Sequence, residues 1–342
     1  MDILENPFRG TGLTGADLDA APNPSIDADR PAALMRRCFG GDETPLVPCE
    51  AFGTQLWVKD ERGRNGLGSF KALGAAYVVA SHAAETGAAE FDGALAGRTY
   101  VSATAGNHGL SVAAGAMRFG AEAKIYIAEA VPESFAERLR ELGATVVRGG
   151  DDYQASLDAA MAARDAHGWT LLSDTSWPEY LEIPHRLMEG YNVMAAETVA
   201  QMPEAPTHIF LQAGVGGLAG ACAAYFRKAW GDAPQIIVVE PDRAPALHHS
   251  IEAGHSVVTE GPVSDMGRLD CKEPSLIALK GLARDADRFV LISEEEAFAV
   301  LPELEAHGLA TSTSGAAGVA AVAQTTLPTD ARVLCILSEG PA

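Results

Sequence analysis

The chain has 342 residues, of which 47% are hydrophobic, and a formal net charge of −21 at pH 7. This length suggests two domains of roughly 100–200 residues each, with enough apolar side chains for ordinary packed cores. Because nucleic-acid backbones are bound by clustered Lys and Arg, the acidic charge counts against a nucleic-acid partner.

No apolar stretch reaches the length of about 18 residues that a membrane-spanning helix needs, so we expect no membrane partner. The N-terminal sequence MDILENP lacks the basic and then apolar order of a secretory signal. The five cysteines are scattered, odd in number and without Cys-x-x-Cys spacing. Thiols of this kind favour a cytoplasmic protein without a disulfide framework or a zinc site.

After a polar opening rich in Pro and Gly, which ends near residue 41, short β-branched runs alternate with alanine-rich segments. The runs that predict strands are 99–102, 124–127, 145–148, 207–211, 235–239 and 332–337. The segments that predict helices are 111–119, 133–142, 153–167 and 218–230. Strands without polar alternation, each followed by a helix, are typical of parallel βαβ units. The predicted fold class is therefore α/β.

The first of three glycine-centred segments, residues 66–74, reads GLGSFKALG. Its lysine, Lys71, follows Ser-Phe and precedes small apolar residues. An apolar setting lowers the pKa of a lysine and frees its amine to form a Schiff base. Taken alone, the segment is better explained by a lysine at a helix start whose amine reaches water.

The second segment, residues 102–109, reads SATAGNHG and stands between a predicted strand and a predicted helix. Its hydroxyls, glycines and backbone amides suit an anion such as a substrate carboxylate, and Asn107 offers an amide to a ring oxygen. An ordinary capped turn, with His108 as a hydrogen-bonded polar residue, explains the segment as well.

The third segment, residues 212–220, reads QAGVGGLAG and follows the predicted strand 207–211. Backbone amides of such a loop can bind a phosphate at a helix N-terminus. The segment also fits the dinucleotide pattern Gly-x-Gly-x-x-Ala, with Glu240 about twenty residues later. A nicotinamide-dependent oxidoreductase is therefore an alternative, although it leaves Lys71 and Asn107 without a role.

Together the three segments resemble the fold-type-II pyridoxal phosphate enzymes, the group of the tryptophan synthase β-subunit and threonine dehydratase. The resemblance extends from about residue 44 to residue 340. It implies that Lys71 carries the cofactor and that Ser338 faces its pyridine nitrogen. The implied cofactor-phosphate ligands are Gly214, Val215, Gly216, Gly217 and Leu218. The implied substrate-carboxylate ligands are Thr104, Gly106, Asn107 and His108, and Asn107 also reaches the cofactor's ring oxygen.

The same resemblance implies two parallel-sheet domains, with the smaller inserted in the larger. We place the large cofactor-binding domain at residues 1–83 and 199–342 and the small inserted domain at residues 84–198. The resemblance also implies a homodimer. No metal is expected, because adjacent side chains such as His248 and His249 face different ways and are better explained as a loop pair.

Within this group the chain is most similar to the diaminopropionate ammonia-lyases. The discriminating segment is Asp-Thr-x-Trp, residues 174–177, which is uncommon in serine and threonine dehydratases. The resemblance implies α,β-elimination from a small amino acid. The best candidate substrate is 2,3-diaminopropionate, which would give pyruvate and ammonia. A dehydratase of the same fold that acts on serine, threonine or hydroxyaspartate remains an alternative.

Two departures from this subfamily concern the substrate. Ala105 stands where these enzymes carry Asp before Gly-Asn-His-Gly, and residues 312–315 read STSG where they carry GESG. The resemblance implies that Asp174 removes the α-proton of the L-isomer and that the missing aspartate serves the D-isomer. Since an alanine methyl accepts no proton, the sequence predicts a strong preference for the L-isomer, with Asp174 or Lys71 as the base.

Overall fold

A computed structural model describes residues 1–104 and 106–341 of the chain. Its strands are β1 (Asp2–Glu5), β2 (Leu46–Ala51), β3 (Thr54–Asp60), β4 (Thr99–Ala103), β5 (Glu122–Ile127), β6 (Thr145–Arg148), β7 (Thr170–Leu171), β8 (His208–Gln212), β9 (Gln235–Pro241), β10 (Arg288–Ile292) and β11 (Arg332–Leu337). Its helices are α1 (Ala16–Ala20), α2 (Asp29–Phe39), α3 (Gly74–Glu85), α4 (Asn107–Arg118), α5 (Glu133–Glu141), α6 (Tyr153–His167), α7 (Glu182–Gln201), α8 (Gly217–Trp230), α9 (Ala246–Ala253), α10 (Leu276–Asp285), α11 (Glu294–Ala299), α12 (Leu301–Ala306) and α13 (Thr313–Gln324). Two 3₁₀ helices, Glu61–Gly66 and Phe70–Leu73, follow β3.

The strands form a seven-stranded sheet in the order β1-β10-β9-β8-β11-β3-β2 and a four-stranded sheet in the order β6-β5-β4-β7. Every pair in the smaller sheet is parallel. The larger sheet is parallel from β10 to β3, and only its edge strands β1 and β2 pair antiparallel. The α/β class and its parallel sheets are thereby confirmed.

The N-terminal opening, where the pattern predicts no element, contains β1, α1 and α2. Edge strands such as β1 are short and half exposed, so they lack the unbroken apolar run that marks a central parallel strand. The prediction of a loop at His248 and His249 is wrong, since both lie on α9. Among the helices of the described ranges, none has the length and apolarity to cross a lipid bilayer.

Four segments with polar or glycine residues follow the carboxyl ends of parallel strands. Lys71 comes after β3, the loop around Gly106 after β4, the glycine loop after β8 and Ser338 after β11. In open α/β sheets, ligands bind outside these strand ends. Within the larger sheet β3 and β8 both pair with β11, so three of the four segments start side by side.

A buried cluster of charges fixes the chain that leads from β3 toward Lys71. Lys59 Nζ lies 2.8 Å from Glu197 Oε2, and Arg64 Nη1 lies 2.8 Å from Glu197 Oε1. Arg64 also donates through Nε to Glu61 Oε2 at 2.8 Å. Burial would raise the pKa of Glu197, but Arg64 and Lys59 lower it overall. The cluster ties the 3₁₀ helix Glu61–Gly66 to α7.

We expect Glu197→Gln to lower the free energy of unfolding by about 3–5 kcal/mol, because it leaves buried cations without their shared carboxylate. Urea unfolding followed by circular dichroism measures the loss. Glu182→Gln is the matched control, since Glu182 lies on the same helix with its side chain 85% exposed. A Glu197→Gln loss no larger than that of the control would contradict a stabilising role for the cluster.

Candidate active site

Lys71 lies on the 3₁₀ helix Phe70–Leu73, and its Nζ is 2.5 Å from Oδ2 of Asp174. Burial alone would lower the pKa of Lys71, but the Asp174 carboxylate raises it well above its ordinary value. Burial would likewise raise the pKa of Asp174, but Lys71 and His108 hold it well below the usual range. The expectation that an apolar setting lowers the Lys71 pKa is therefore wrong here, since the carboxylate outweighs burial.

The segment that carries Asp174 is held on both sides. Tyr180 Oη accepts a hydrogen bond from Ser173 N at 3.0 Å and donates one to Leu171 O at 2.9 Å. On the other side, the hydroxyls of Ser176 and Ser275 lie 2.6 Å apart. Asp174 is thus a fixed group beside the lysine amine.

The loop between β4 and α4 offers neutral polar groups. Thr104 Oγ1 accepts a hydrogen bond from Gly106 N at 3.0 Å. His108 is buried and its Nε2 lies 3.0 Å from Leu172 O, while its Nδ1 has no partner among the described residues. Burial lowers the pKa of His108 and keeps the ring neutral near pH 7. Ala105, on which the predicted stereochemical preference depends, lies outside the described residues.

Asn107 joins this loop to the end of β11. Its Nδ2 donates to Glu339 Oε2 at 2.5 Å. Glu339 is buried, and Ser312 Oγ donates to its other carboxylate oxygen. The sequence predictions omitted Glu339, although its position directly after Ser338 is a signal that could have found it.

The glycine loop between β8 and α8 forms a cradle of backbone. Gly216 precedes α8 with a φ of 94°, a left-handed conformation that favours glycine. A Cβ on Gly214 would lie 2.9 Å from Cys271 Sγ. Val215 O accepts a hydrogen bond from Ser275 N at 3.0 Å, and Leu218 is buried. The first amides of a helix, here from Gly217 onward, have no intrahelical acceptor and suit a phosphate group.

We expect Gly216→Ala to weaken cofactor binding and to cost about 1–3 kcal/mol more unfolding free energy than a matched glycine change. A Cβ there would meet Ala278 Cβ at 2.9 Å and Leu247 Cδ1 at 3.0 Å. Gly231→Ala is the control, because Gly231 ends the same helix with a φ of 59° and nothing within 4 Å of its Cβ position. Equal losses in the two variants, measured by urea unfolding, would show that the loop is not tightly packed.

Ser338 lies buried at the end of β11, next to the lysine helix. Its backbone oxygen accepts a hydrogen bond from Phe70 N at 3.0 Å, and its Oγ accepts one from Gln212 Nε2 at 3.2 Å. Because the Gln212 amide donates to it, the Ser338 hydroxyl keeps its own hydrogen for another acceptor. A neutral pyridine nitrogen is an acceptor of this kind.

Several buried polar atoms on these segments have no partner among the described residues. They are Ser69 Oγ, His108 Nδ1, Tyr191 Oη and Gln212 Oε1. Native proteins rarely leave such atoms unpaired, so those beside the lysine are suited to pair with a bound polar cofactor. Together with the lysine, the glycine cradle and the Ser338 donor, they fit a pyridoxal phosphate.

The nicotinamide alternative needs Glu240 to bind a ribose hydroxyl, but the Glu240 carboxylate binds backbone amides of this chain instead. It is fully buried and accepts hydrogen bonds from Leu247 N at 2.8 Å and His248 N at 2.7 Å. Burial raises its pKa to about 8. Glu240 therefore caps α9.

Cys271 packs against the glycine loop. Burial and the Asp174 carboxylate raise the pKa of its thiol to about 12, so the thiol is neutral near pH 7. We assign it a packing role.

Comparisons with known proteins identify the family of this chain. The family model described as "Pyridoxal-phosphate dependent enzyme" matches residues 39–339. The diaminopropionate ammonia-lyase of Escherichia coli K12 is 33% identical over 276 residues, which cover 75% of this chain and 69% of that protein. The L-threonine ammonia-lyase of Geobacter sulfurreducens is 28% identical, over 85% of this chain and 64% of that protein.

A solved structure of the Escherichia coli diaminopropionate ammonia-lyase, in complex with an aminoacrylate–PLP azomethine reaction intermediate, is similar throughout. Its TM-score is 0.86 at 29% identity, and the match covers 99% of this chain and 93% of that one. The family match excludes the nicotinamide alternative and identifies the cofactor as pyridoxal 5'-phosphate. The chain therefore belongs to the family of pyridoxal-phosphate dependent enzymes.

Proposed function

We propose that this protein is an ammonia-lyase that catalyses α,β-elimination from a small L-amino acid, with 2,3-diaminopropionate as its substrate. One molecule of diaminopropionate and one of water give pyruvate and two molecules of ammonia. The α C–H and β C–N bonds break in the elimination, and hydrolysis by the water then breaks the α C–N bond and supplies the keto oxygen. The observation that carries the proposal is the contact of Lys71 Nζ with Asp174 Oδ2 at 2.5 Å. The 33% identity to the Escherichia coli diaminopropionate ammonia-lyase supports the choice of substrate.

When bound, pyridoxal phosphate withdraws electrons from the α-carbon of the substrate. In the proposal, Lys71 holds the cofactor and Asp174 is the base that receives the α-proton. The pKa of Asp174, which Lys71 and His108 hold below its usual range, leaves the carboxylate ionised near pH 7, as a proton acceptor must be. A lysine amine at hydrogen-bond distance can then pass protons to and from this carboxylate.

The other predicted residues would bind and orient the cofactor and the substrate. The backbone of Gly214, Val215, Gly216, Gly217 and Leu218 receives the cofactor phosphate. Ser338 donates its hydroxyl hydrogen to the pyridine nitrogen, which leaves the ring less protonated than an aspartate would. Thr104, Gly106, Asn107 and His108 would receive the substrate carboxylate, and Asn107, whose amide donates to Glu339, would also bind the ring oxygen of the cofactor.

A second candidate is a dehydratase of the same fold that acts on serine, threonine or hydroxyaspartate. Relatives named L-threonine ammonia-lyase and probable D-serine dehydratase favour it. The sequence departures from the diaminopropionate ammonia-lyases, at Ala105 and at residues 312–315, also favour a different substrate. A substrate panel scored by release of keto acid and ammonia separates the two candidates.

In that panel we expect the L-isomer of diaminopropionate to react faster than the D-isomer by about 10²–10⁴-fold, the worth of a positioned base. Asp174 serves the L-isomer, while Ala105 offers no base for the D-isomer. Ala105→Asp is expected to raise activity on the D-isomer. Similar wild-type rates on both isomers would contradict the argument from Ala105, and reaction with a β-hydroxy amino acid alone would favour the dehydratase.

We also propose the division into a large domain, residues 1–83 and 199–342, and an inserted small domain, residues 84–198. The strands of the four-stranded sheet all fall within the inserted range, which supports it. The resemblance to the family supports a homodimer, and five free cysteines support a cytoplasmic location. Limited proteolysis and light scattering test the domain boundaries and the dimer.

A further inference from the structure

We infer that Arg268 is a substrate-binding residue whose guanidinium pairs with a carboxylate of the substrate beside Gly106. This inference rests on the proposed function, since it needs a substrate carboxylate in the loop around Gly106. Arg268 is not among the site residues predicted from the sequence. Its place follows from the packing of two loops that are far apart in the chain.

The guanidinium of Arg268 lies against the backbone of Gly106. A Cβ on Gly106 would be 2.7 Å from Arg268 Cζ, 2.7 Å from Nη1 and 2.8 Å from Nε. The φ of Gly106 is −171°, extended backbone that any residue adopts. These distances place the end of a flexible side chain directly beside the backbone of Gly106.

The backbone of Arg268 lies between helix α13 and the proposed cofactor-phosphate loop. Its amide donates to Ser314 Oγ at 3.2 Å, so the departure at residues 312–315 supplies the anchor. Its carbonyl oxygen would lie 3.3 Å from a Cβ on Gly214 in the cofactor-phosphate loop. The side chain thus extends from the phosphate loop to the carboxylate loop, and it is 38% exposed.

Charge complementarity favours a carboxylate at this point. The loop itself offers only neutral groups, and Lys71 is paired with Asp174 at 2.5 Å. Arg268 Nε lies 3.7 Å from Glu339 Oε2. A guanidinium has five N–H donors in a planar fork, so it can contact Glu339 and a substrate carboxylate at the same time.

The carboxylate could be the α-carboxylate that every amino acid carries or a second one on the side chain, as in hydroxyaspartate. Three probes separate these sources, because none has a leaving group on the β-carbon. L-Alanine carries only the α-carboxylate, L-aspartate carries both, and propylamine carries none. Their dissociation constants are measured on the cofactor-loaded protein from the visible absorbance of the cofactor.

We compare Arg268→Gln and Arg268→Lys with wild type. The control variant is Arg138→Gln, which removes one arginine from an exposed position on α5. Loss of a charge-assisted hydrogen bond at a partly exposed site is expected to weaken binding by about tenfold. If Arg268 pairs with the α-carboxylate, Arg268→Gln weakens alanine and aspartate alike. If it pairs with a second carboxylate, only aspartate is weakened. Arg268→Lys restores part of the loss, and propylamine binds as in wild type.

The inference is overturned if Arg268→Gln binds alanine and aspartate as tightly as wild type. It is also overturned if propylamine loses affinity to the same degree, because the effect would then be structural. A wild-type protein that eliminates neither diaminopropionate nor a β-hydroxy amino acid would sink the proposed function. The probe constants would still decide the role of Arg268, because they require binding and not turnover.

Discussion

Lys71→Ala is expected to lower turnover by at least about 10³-fold, since it removes both the covalent link to the cofactor and an amine that moves protons. The wild-type protein should show a visible absorbance band that borohydride converts into a stable adduct on the peptide containing Lys71. The variant should lose the band and the adduct. Lys71 Nζ also lies 2.5 Å from the Asp174 carboxylate, so the substitution leaves that carboxylate without its cation.

Lys124→Ala is the matched control for this variant. Lys124 lies on β5 and pairs with Glu122, away from the strand ends that form the site. The control should keep the band, the adduct and the turnover of wild type. A Lys71→Ala protein that still formed the adduct on the same peptide would refute the assignment of the lysine.

Asp174→Asn is expected to keep the bound cofactor while turnover falls by about 10²–10⁴-fold, because an amide accepts no proton from the α-carbon. Asp158→Asn, an exposed change on α6, is the control and should retain wild-type rates. Single-turnover assays with L-diaminopropionate measure the chemical step directly. Turnover of Asp174→Asn within tenfold of wild type, with cofactor bound, would leave Asp174 only a structural role.

The pH dependence of stability and of rate follows from the lowered pKa of Asp174. The pKa of Asp174 lies below its usual value, near 3.9 in an unfolded chain, because of Lys71 and His108. The stability that Asp174 contributes is therefore fully present above that value and is lost as the pH falls through the lower folded-state pKa. Between pH 5 and 8, Asp174 should add no acid limb to the wild-type rate profile.

The strand ends that form the site were predictable because parallel strands show unbroken apolar runs that stop at glycine or polar residues. The runs at 99–102, 207–211 and 332–337 correspond to β4, β8 and β11 within a residue or two. Their following segments carry Asn107, the glycine loop and Ser338. In these three strands, the local sequence pattern predicts the local structure correctly.

Contacts between distant segments were not predictable in the same way. Arg268 contacts Gly106, which lies 162 positions earlier in the sequence, and no local pattern predicts that approach. The high pKa of Lys71 likewise depends on a carboxylate 103 residues away. The edge strand β1 pairs with β10, near the other end of the chain. The local sequence of the polar opening therefore did not predict this strand.

The ratio of ammonia to pyruvate released from L-2,3-diaminopropionate by the cofactor-loaded wild-type protein tests the central claim most directly. The account predicts two molecules of ammonia for each pyruvate, because both amino groups leave the carbon skeleton. L-Serine, assayed in parallel, would give one ammonia for each pyruvate if it reacts. Release of neither product from L-diaminopropionate, by protein that shows the cofactor band and its borohydride adduct at Lys71, would contradict the proposed elimination.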